Sequence, residues 1–206
     1  QKELDRAIAE KVKHIEIRSK PDITLTVRGR VKVLVYGSAC VSAFDEVVVV
    51  AFDQATVIAH DHVRVTAYDS SLVRAHGAAA VIACNQAVVM ACDCTVINTW
   101  GKSLAVASDL AMVVAHEASM VKAEGSAKVY AGSVSTVVAS GCALVRASQS
   151  ATVTAHEKAT VIAYDDTKVI AYDSVKVLAH YSVEILSHSS IQPRRIEPGE
   201  LTSEYL

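Results

Sequence analysis

An eight-residue repeat fills most of this chain and limits what it can fold into. Beginning at Ile17, 22 octads follow one another to Gln192 without an insertion or a deletion. The first position of the octad is Val in 17 of the 22 repeats, and the third position is Ala in 17. The consensus reads V-x-A-[YH]-[DG]-S-A-T. Self-similarity at a short fixed period predicts a solenoid, in which each repeat packs on its neighbours.

Each octad has the pattern of a short β-strand followed by a turn. Positions 1, 3 and 7 are small or β-branched while the residues between them vary, which is the period-two alternation of a strand. The fifth position is mostly Asp, Gly, Glu or Asn, residues that favour turns. A helix is disfavoured, because Val is β-branched and an eight-residue period drifts off one helical face. We therefore predict an all-β fold, a parallel β-solenoid (β-helix).

The outward second position indicates how many octads make one coil, because stacked coils should place similar residues above one another. Every third octad gives a nearly unbroken apolar row, which consists of Leu34, Ile58, Ile82, Val106, Tyr130, Thr154 and Leu178. This spacing predicts about seven three-sided coils of 24 residues, roughly 35 Å long at about 4.8 Å per strand. A flattened, two-sided coil of two octads is the alternative.

The two ends of the chain depart from the repeat, which is confined to residues 17–192. Residues 1–16 are predicted to form an N-terminal cap, an amphipathic helix followed by a lead-in strand. The apolar stripe of this helix consists of Leu4, Ala7, Ile8 and Val12. Residues 193–206 show no period and are predicted to be an irregular C-terminal tail. This tail either covers the last coil or moves freely, and its apolar residues are Ile196, Leu201 and Leu206.

Charge and composition argue against several classes of protein. Twenty Lys and Arg against 22 Asp and Glu give a formal net charge of −2, so a nucleic-acid partner bound through a basic face is not expected. The sequence has no run of about 18 apolar residues, so insertion into a membrane is not expected. The charged segment QKELDRAIAEK lacks the apolar stretch of a secretory signal. The five Cys lack a regular framework, which favours free thiols in a reducing compartment. We expect a cytoplasmic protein.

The octads resemble the V-x-A-Y-D-S-A-T arrays of uncharacterised bacterial and bacteriophage proteins. The segments TAYDSSLV (66–73), ASQSATVTAHEKATV (147–161) and AYDSVKV (171–177) carry this resemblance, and the octads cover most of the chain. The resemblance implies a β-solenoid and no particular activity. The octads also bear a fainter likeness to ice-nucleation repeats, which carry Thr before the Ala, but this sequence departs from them because ATVTA occurs only once, at 151–155.

Histidine recurs at the fourth position of the octad. On a three-sided coil, His156 and His180 would lie on adjacent turns about 5 Å apart, close enough to bind zinc or to carry out acid–base chemistry. Alternatively, any planar side chain at this position stacks on its neighbours, because Tyr, Phe and Trp occur there as well. We favour stacking and predict no metal site and no cofactor, with His156 and His180 as the candidates if a metal binds.

Other residue types that carry chemistry do not form a recognisable site. Cys84, Cys92 and Cys94 lack the second pair of a typical metal motif. Fifth-position carboxylates such as Asp45 and Asp53 are predicted to cap their own turns. No loop insertion builds a cleft, and no G-x-S-x-G, P-loop or G-x-G-x-x-G motif occurs. We therefore predict no catalytic residues and no enzymatic activity.

Outward apolar residues indicate a protein-interaction surface, since exposed patches of this kind generally mark interfaces. The predicted interface residues are Ile82, Val88, Met90, Leu104, Val106, Met112, Val114, Val138 and Ile162. The alternative is that β-branched residues suit strands on either face. We predict a rigid, non-enzymatic scaffold or interaction module that forms a homo-oligomer or joins a larger protein assembly. Two other functions stay open: binding to an ice or carbohydrate surface, and a metal-assisted enzyme that uses the His ladder.

Overall fold

Each coil of the molecule contributes one strand to each of two parallel β-sheets. The structure, a computed structural model, describes residues 1–180, 182–188 and 193–196. Within these residues the chain forms one helix, α1 (Lys2–Ala9), and 23 strands. The predicted all-β parallel solenoid with an N-terminal helix is therefore confirmed.

Odd-numbered and even-numbered strands lie in different sheets. The 12 odd-numbered strands form sheet A, which consists of β1 (Ile15–Ile17), β3 (Lys32–Val35), β5 (Val48–Ala51), β7 (Arg64–Ala67), β9 (Ala80–Ala83), β11 (Val96–Thr99), β13 (Met112–Ala115), β15 (Lys128–Ala131), β17 (Leu144–Ala147), β19 (Thr160–Ala163), β21 (Lys176–Ala179) and β23 (Arg194–Arg195). The 11 even-numbered strands form sheet B, which consists of β2 (Thr24–Val27), β4 (Cys40–Ala43), β6 (Thr56–Ala59), β8 (Leu72–Ala75), β10 (Val88–Ala91), β12 (Leu104–Ala107), β14 (Met120–Ala123), β16 (Thr136–Ala139), β18 (Thr152–Ala155), β20 (Lys168–Ala171) and β22 (Glu184–Ser187).

The coil contains two octads, so the predicted three-sided coil of three octads is wrong. In sheet A, Val33 lies beside Val49, and in sheet B, Val89 lies beside Ala105. The number of coils is therefore about eleven rather than seven. Twelve strands at about 4.8 Å spacing give a rod roughly 53 Å long. The two-sided alternative is the one that the chain adopts.

The turn at positions 4 to 7 of the octad explains why the coil has two sides. The Ala55 N–H donates to the Phe52 carbonyl at 3.1 Å, which closes a β-turn. The first central residue has a positive φ whether it is Gly37 (66°) or Asp53 (57°). A turn of this kind reverses the chain, so consecutive octads cross to opposite sheets. A triangular coil would need a wider corner.

The core is thin because both sheets direct Val and Ala inward. First-position Val33 and Val49 and third-position Ala51 and Ala67 are completely buried. Each inward column repeats nearly the same small side chain from coil to coil, so adjacent coils pack closely without large changes in volume. Burial of these columns is the main stabilising contribution of each coil.

Helix α1 covers the first coil. Leu4 is buried in the core, and Ala7 and Ile8 pack against it. Val12 lies beyond the end of the helix and is 40% exposed, so it does not join the predicted stripe. The side-chain amide of Gln1 donates to the carbonyl of Thr26 at 2.9 Å and accepts its N–H at 2.8 Å. This amide therefore pairs with the edge of β2 as a neighbouring strand would.

At the other end, β23 pairs with β21. Ile196 is buried beside Ile162 and Leu178, in a small second cluster on the outer side of sheet A. The tail thus covers part of the last coils through Ile196, which is the first of the two alternatives that the sequence left open. The other predicted contact residues, Leu201 and Leu206, lie outside the described residues.

Candidate functional site

Two lines of turns run along the rod and carry most of the fourth-position rings. We name the turns that follow strands of sheet A edge A, and those that follow strands of sheet B edge B. The fourth-position residues of edge A from the second coil onward are Tyr36, Phe52, Tyr68, Cys84, Trp100, His116, Gly132, Ser148, Tyr164 and His180. Those of edge B are Phe44, His60, His76, Cys92, Ser108, Glu124, Ser140, His156, Tyr172 and His188.

Rings at the fourth position stack on one another from coil to coil. On edge A, the rings of Trp100 and His116 are nearly parallel, with centroids 4.0 Å apart. On edge B, Phe44 and His60 stack at 4.4 Å. Such pairs contribute about 0.5–1.5 kcal/mol each beyond the area that they bury. The preferred interpretation of this position, stacking of planar side chains, is confirmed.

His156 and His180 do not lie together, contrary to the predicted candidate pair. His156 is on edge B, where it stacks on Tyr172 with ring centroids 4.7 Å apart. His180 follows β21 and is on edge A. The pairing assumed a coil of three octads, and the two-octad coil places the two rings on opposite edges. The His ladder therefore offers no metal site at these two residues.

Fifth-position carboxylates bond to the preceding coil rather than to their own turn. The Gly37 N–H donates to Asp53 Oδ2 at 2.9 Å, and the Asp53 N–H donates to Asp69 Oδ2 at 3.2 Å. On edge B, the Gly29 N–H donates to Asp45 Oδ2 at 2.9 Å. The predicted capping of their own backbone is wrong because the preceding coil lies only one strand spacing away, within reach of a carboxylate. These bonds connect adjacent turns along both edges.

One position on edge B gathers three side chains that commonly bind metals. His76 and Cys92 are the fourth-position residues of successive coils, and Asp93 follows Cys92. The donor atoms of the three residues all lie within 4.8 Å of one another. His76 Nδ1 is 3.0 Å from Cys92 Sγ, which is 3.6 Å from Asp93 Oδ2. We name these three residues the His–Cys–Asp cluster.

The His–Cys–Asp cluster is absent from the sequence-based predictions because a three-octad coil separates His76 from Cys92. A sequence signal exists: two octads apart, His76 and Cys92 occupy equivalent positions of adjacent coils. The sequence instead suggests Cys84 and Cys94 as the partners of Cys92, because they are its neighbours along the chain. Cys84 lies on edge A, and the three thiols do not form one cluster among the described residues.

The surroundings of the cluster shift two pKa values in opposite directions. Burial raises the pKa of the Cys92 thiol, and the nearby carboxylates of Asp93 and Asp109 raise it further. The Gly77 N–H donates to Asp93 Oδ2 at 2.9 Å and lowers the pKa of this carboxyl group, and Cys92 and His76 lower it further against the effect of desolvation. At neutral pH the cluster therefore holds an ionised carboxylate beside a protonated thiol.

Differences among the thiols give a direct test of these environments. The five cysteines all lie in the described part of the chain and are unpaired. Cys94 and Cys142 are exposed, whereas Cys84 and Cys92 are partly buried and burial raises their pKa. Because the thiolate is the reactive form, we expect iodoacetamide at neutral pH to modify Cys94 and Cys142 several-fold faster than Cys84 and Cys92. Peptide mass spectrometry over a time course measures this order, and faster modification of Cys92 than of Cys94 would contradict it.

Edge A has a recess where two successive fourth positions carry no ring. Gly132 and Ser148 leave a cavity of about 350 Å³ next to Tyr164. The guanidinium carbon of Arg146 lies 5.7 Å from the ring centroid of Tyr130, and its Nε is buried without a hydrogen-bond partner. Burial raises the pKa of the Tyr164 hydroxyl, and the charge of Arg146 opposes this shift. The recess divides the ring ladder of edge A into separate segments.

The nine predicted interface residues are divided between two opposite faces. Those on sheet B are Val88, Met90, Leu104, Val106 and Val138, and those on sheet A are Ile82, Met112, Val114 and Ile162. Ile162 is completely buried in the cluster with Leu178 and Ile196, so no partner can reach it. The single patch expected on the three-octad coil is not formed, because successive octads alternate between the faces.

Sheet B nevertheless has a continuous apolar patch on its outer face. All outward residues of β10 and β12 are apolar, and each side chain has an apolar neighbour on the adjacent strand. The flanking strands β8 and β14 add one apolar residue each. We name this surface the sheet B patch, and its residues are Leu72, Val88, Met90, Leu104, Val106 and Met120. Met90 and Met120 are its most exposed members, at 41% and 54%.

The fold and its surfaces define the class of this protein as a two-sided parallel β-solenoid. Compared with family models, curated proteins and solved structures, the chain has no match. Among the described residues there is no helix with the length and apolar character needed to cross a membrane. The geometry of the surfaces is therefore what indicates a function.

Proposed function

We propose that the chain is a rigid, non-enzymatic scaffold that self-associates through the outer face of sheet B. The partner in this proposal is a second copy of the same chain. The observation that supports it is the sheet B patch, which is continuous across four adjacent strands. Solvent-exposed patches of this kind are uncommon on monomers and generally mark interfaces.

The outer face of sheet A offers a weaker surface. Ile82 and Val114 lie on β9 and β13, but Asn98 on the intervening β11 separates them. On the four strands of the sheet B patch, outward charged residues occur only at the two ends, at Arg74 and Lys122. An interface with an apolar centre and a polar rim has this arrangement.

The shape of sheet B suits contact between two copies along the length of the rod. All connections between strands lie at the edges, so no loop rises above the sheet within the described solenoid. Eleven strands at about 4.8 Å spacing, each about 13 Å long, give a face of roughly 650 Å². A standard interface buries about 800 Å² on each partner. The face reaches only the lower end of the standard range, about 600 Å² per partner, so a dimer would have to use nearly all of it.

Charge favours one way of pairing the two copies. A two-fold axis along the rod would place each strand opposite the same strand of the partner, in the reverse direction. Leu72 would then face the partner's Arg74, and Met120 the partner's Lys122, so the aliphatic stems of both cations cover apolar surface. An axis parallel to the strands would oppose Arg74 and the partner's Lys122 and would be disfavoured by repulsion. We propose the first arrangement, an isologous dimer.

Surface binding to ice or carbohydrate receives less support. Thr136, Thr152 and Thr154 are neighbours on sheet B, but Thr160 lies on the opposite sheet. An ice-binding face would need regular ranks of Thr along one side, whereas the centre of sheet B is apolar.

Light scattering across a range of concentrations tests the proposal with two matched variants. We expect the wild type to approach twice the chain mass of 21.9 kDa. Met90→Lys places a charge at the centre of the sheet B patch and should weaken association by about tenfold or more, because the interface would bury an unpaired charge. Val114→Lys makes the same change on the outer face of sheet A and should leave association unchanged.

Far-UV circular dichroism confirms that both variants keep the fold. A wild type that stays monomeric at all concentrations would contradict self-association. Dissociation caused by Val114→Lys but not by Met90→Lys would place the interface on sheet A instead.

A further inference from the structure

We propose that the His–Cys–Asp cluster on edge B binds a thiophilic divalent cation, with Zn²⁺ as the best fit. His76 Nδ1, Cys92 Sγ and a carboxylate oxygen of Asp93 would be the three protein ligands. This inference is independent of the proposed self-association, because edge B lies outside the sheet B patch. Nitrogen, sulfur and oxygen donors of these residue types are the ordinary ligands of zinc.

One distance within the cluster matches that of a tetrahedral site, and a second is close to it. Bond lengths of about 2.3 Å to sulfur and about 2.0–2.1 Å to nitrogen or oxygen place tetrahedral ligands about 3.3–3.6 Å apart. The Cys92 Sγ to Asp93 Oδ2 distance is 3.6 Å, and the His76 Nδ1 to Cys92 Sγ distance is 3.0 Å. A cation would need to separate the imidazole and the thiol by only about half an ångström.

The backbone holds the three ligands in position before any cation binds. The Cys92 N–H donates to the carbonyl of Ala75 at 3.2 Å, so the coils that carry His76 and Cys92 are joined next to the site. The Gly77 N–H donates to Asp93 Oδ2 at 2.9 Å and orients this carboxylate. Hydrogen bonds of this kind, which fix the orientation of ligands, strengthen metal sites.

Stacking also restrains the imidazole. The ring of His76 lies 5.5 Å from that of His60, at an interplanar angle of 18°. Asp93 is exposed while His76 and Cys92 are half-buried, so the fourth position of a tetrahedral site would face solvent. Water would complete the coordination there.

A catalytic thiol is the main competing interpretation of a Cys–His pair. Nucleophilic cysteines are activated by a nearby positive charge, whereas the charged groups that act on Cys92 are the carboxylates of Asp93 and Asp109. Asp93 Oδ2 accepts from the Gly77 N–H and contacts the Cys92 thiol. A cation placed between these donors would offset the same negative charges. The surroundings thus favour binding of a cation over nucleophilic catalysis.

The cation would join two coils where the ring ladder of edge B stops. Above His76 the following fourth positions are Cys92, Ser108, Glu124 and Ser140, and stacking resumes only at His156. A cation bound by His76 on one coil and Cys92 on the next would replace the missing ring contact. Its expected role is structural.

Cobalt provides the direct test, because Co²⁺ bound to a thiolate gives a charge-transfer band in the near ultraviolet. The reduced chain of 206 residues, freed of metal with a chelator, is titrated with CoCl₂ and then with ZnCl₂. We expect one equivalent of Co²⁺ to give a thiolate band that Zn²⁺ abolishes by displacement. Zn²⁺ should also raise the melting temperature of the wild type.

Matched variants assign the signal to the cluster. Cys92→Ser should abolish the thiolate band, and Asp93→Asn should weaken Co²⁺ binding by about tenfold or more. Cys84→Ser is the control, because Cys84 holds the same octad position on edge A, between Tyr68 and Trp100. Cys94→Ser tests the exposed thiol nearest in sequence. Both control variants should bind Co²⁺ as the wild type does.

Several results would overturn the proposal. These are the absence of a thiolate band in the wild type, persistence of the band in Cys92→Ser, or its loss in Cys84→Ser or Cys94→Ser. Melting curves recorded without metal establish that each variant folds, so that a lost band reports lost ligation rather than unfolding.

Discussion

Ala115→Leu is expected to destabilise the solenoid by about 1–3 kcal/mol, because it overpacks a core built for small side chains. Ala115 is at the third position of its octad and ends β13, is only 1% exposed, and lies between Thr99 and Ala131 of the adjacent strands. A larger side chain would push apart two sheets that are joined by turns on both sides. The free energy of unfolding from urea denaturation measures this effect.

Val114→Leu is the matched control for this substitution. Val114 precedes Ala115 on the same strand but points outward, so one added methylene group should change stability by less than about 0.5 kcal/mol. Wild-type stability of Ala115→Leu would show that the third position does not face the core. A large loss in both variants would indicate instead that β13 tolerates no change on either side.

Gly141→Ala should cost clearly more stability than Gly37→Ala. Both glycines adopt a left-handed conformation, with φ of 69° at Gly141 and 66° at Gly37, which costs an alanine about 1–2 kcal/mol. The two positions differ in the space available. A Cβ at Gly141 would lie 2.9 Å from the carbonyl oxygen of Gly125, whereas a Cβ at Gly37 would meet nothing within 4 Å.

The backbone around Gly141 must therefore shift, and this adds on the order of 1 kcal/mol or more to the conformational cost. The entropy that alanine removes from the unfolded chain is similar in both variants and cancels in the comparison. Thermal and urea denaturation of the two variants side by side measure the difference. Equal destabilisation would mean that adjacent turns on edge B are farther apart than the structure places them.

The sequence is sufficient to predict the strands, the inward positions and the parallel solenoid. These features depend on local preferences, and Val33, Ala51 and their equivalents express the same preference in each octad. The helix was predictable as well, since Leu4, Ala7 and Ile8 form a clear apolar stripe. Its end was not, because Val12 continues the stripe after the backbone has left the helix.

The number of octads in a coil was predicted wrongly because it depends on weak signals. Outward residues such as Leu34 and Ile58 gave an apolar row at a spacing of three octads, yet they lie on opposite sheets. Contacts between turns show the correct coil length of two octads. Gly37 precedes Asp53 by two octads, and the Gly37 N–H donates to the Asp53 carboxylate. A bond between coils becomes visible in the sequence only when the turn geometry is known.

The candidate sites followed from this one error. His156 and His180 were paired, and His76 and Cys92 were not, because a wrong coil length exchanges true neighbours for false ones. The outward apolar residues were identified as individual positions, but their division between faces required the correct register. Local chemistry was thus readable from the sequence, whereas the association of distant residues was not.

The equivalence of the octads has a consequence for how such a chain can change over generations. Duplication or loss of two octads would lengthen or shorten the rod by a whole coil and keep every later residue in phase. Duplication of a single octad would preserve the inward Val and Ala columns, yet it would transfer all later strands to the opposite sheet. The interior would tolerate that event. On both faces and both edges, however, the residues after the duplication would lose their neighbours from the coils before it. Selection for an even number of octads would therefore be evidence that the surfaces, and not the fold alone, are what this chain must maintain.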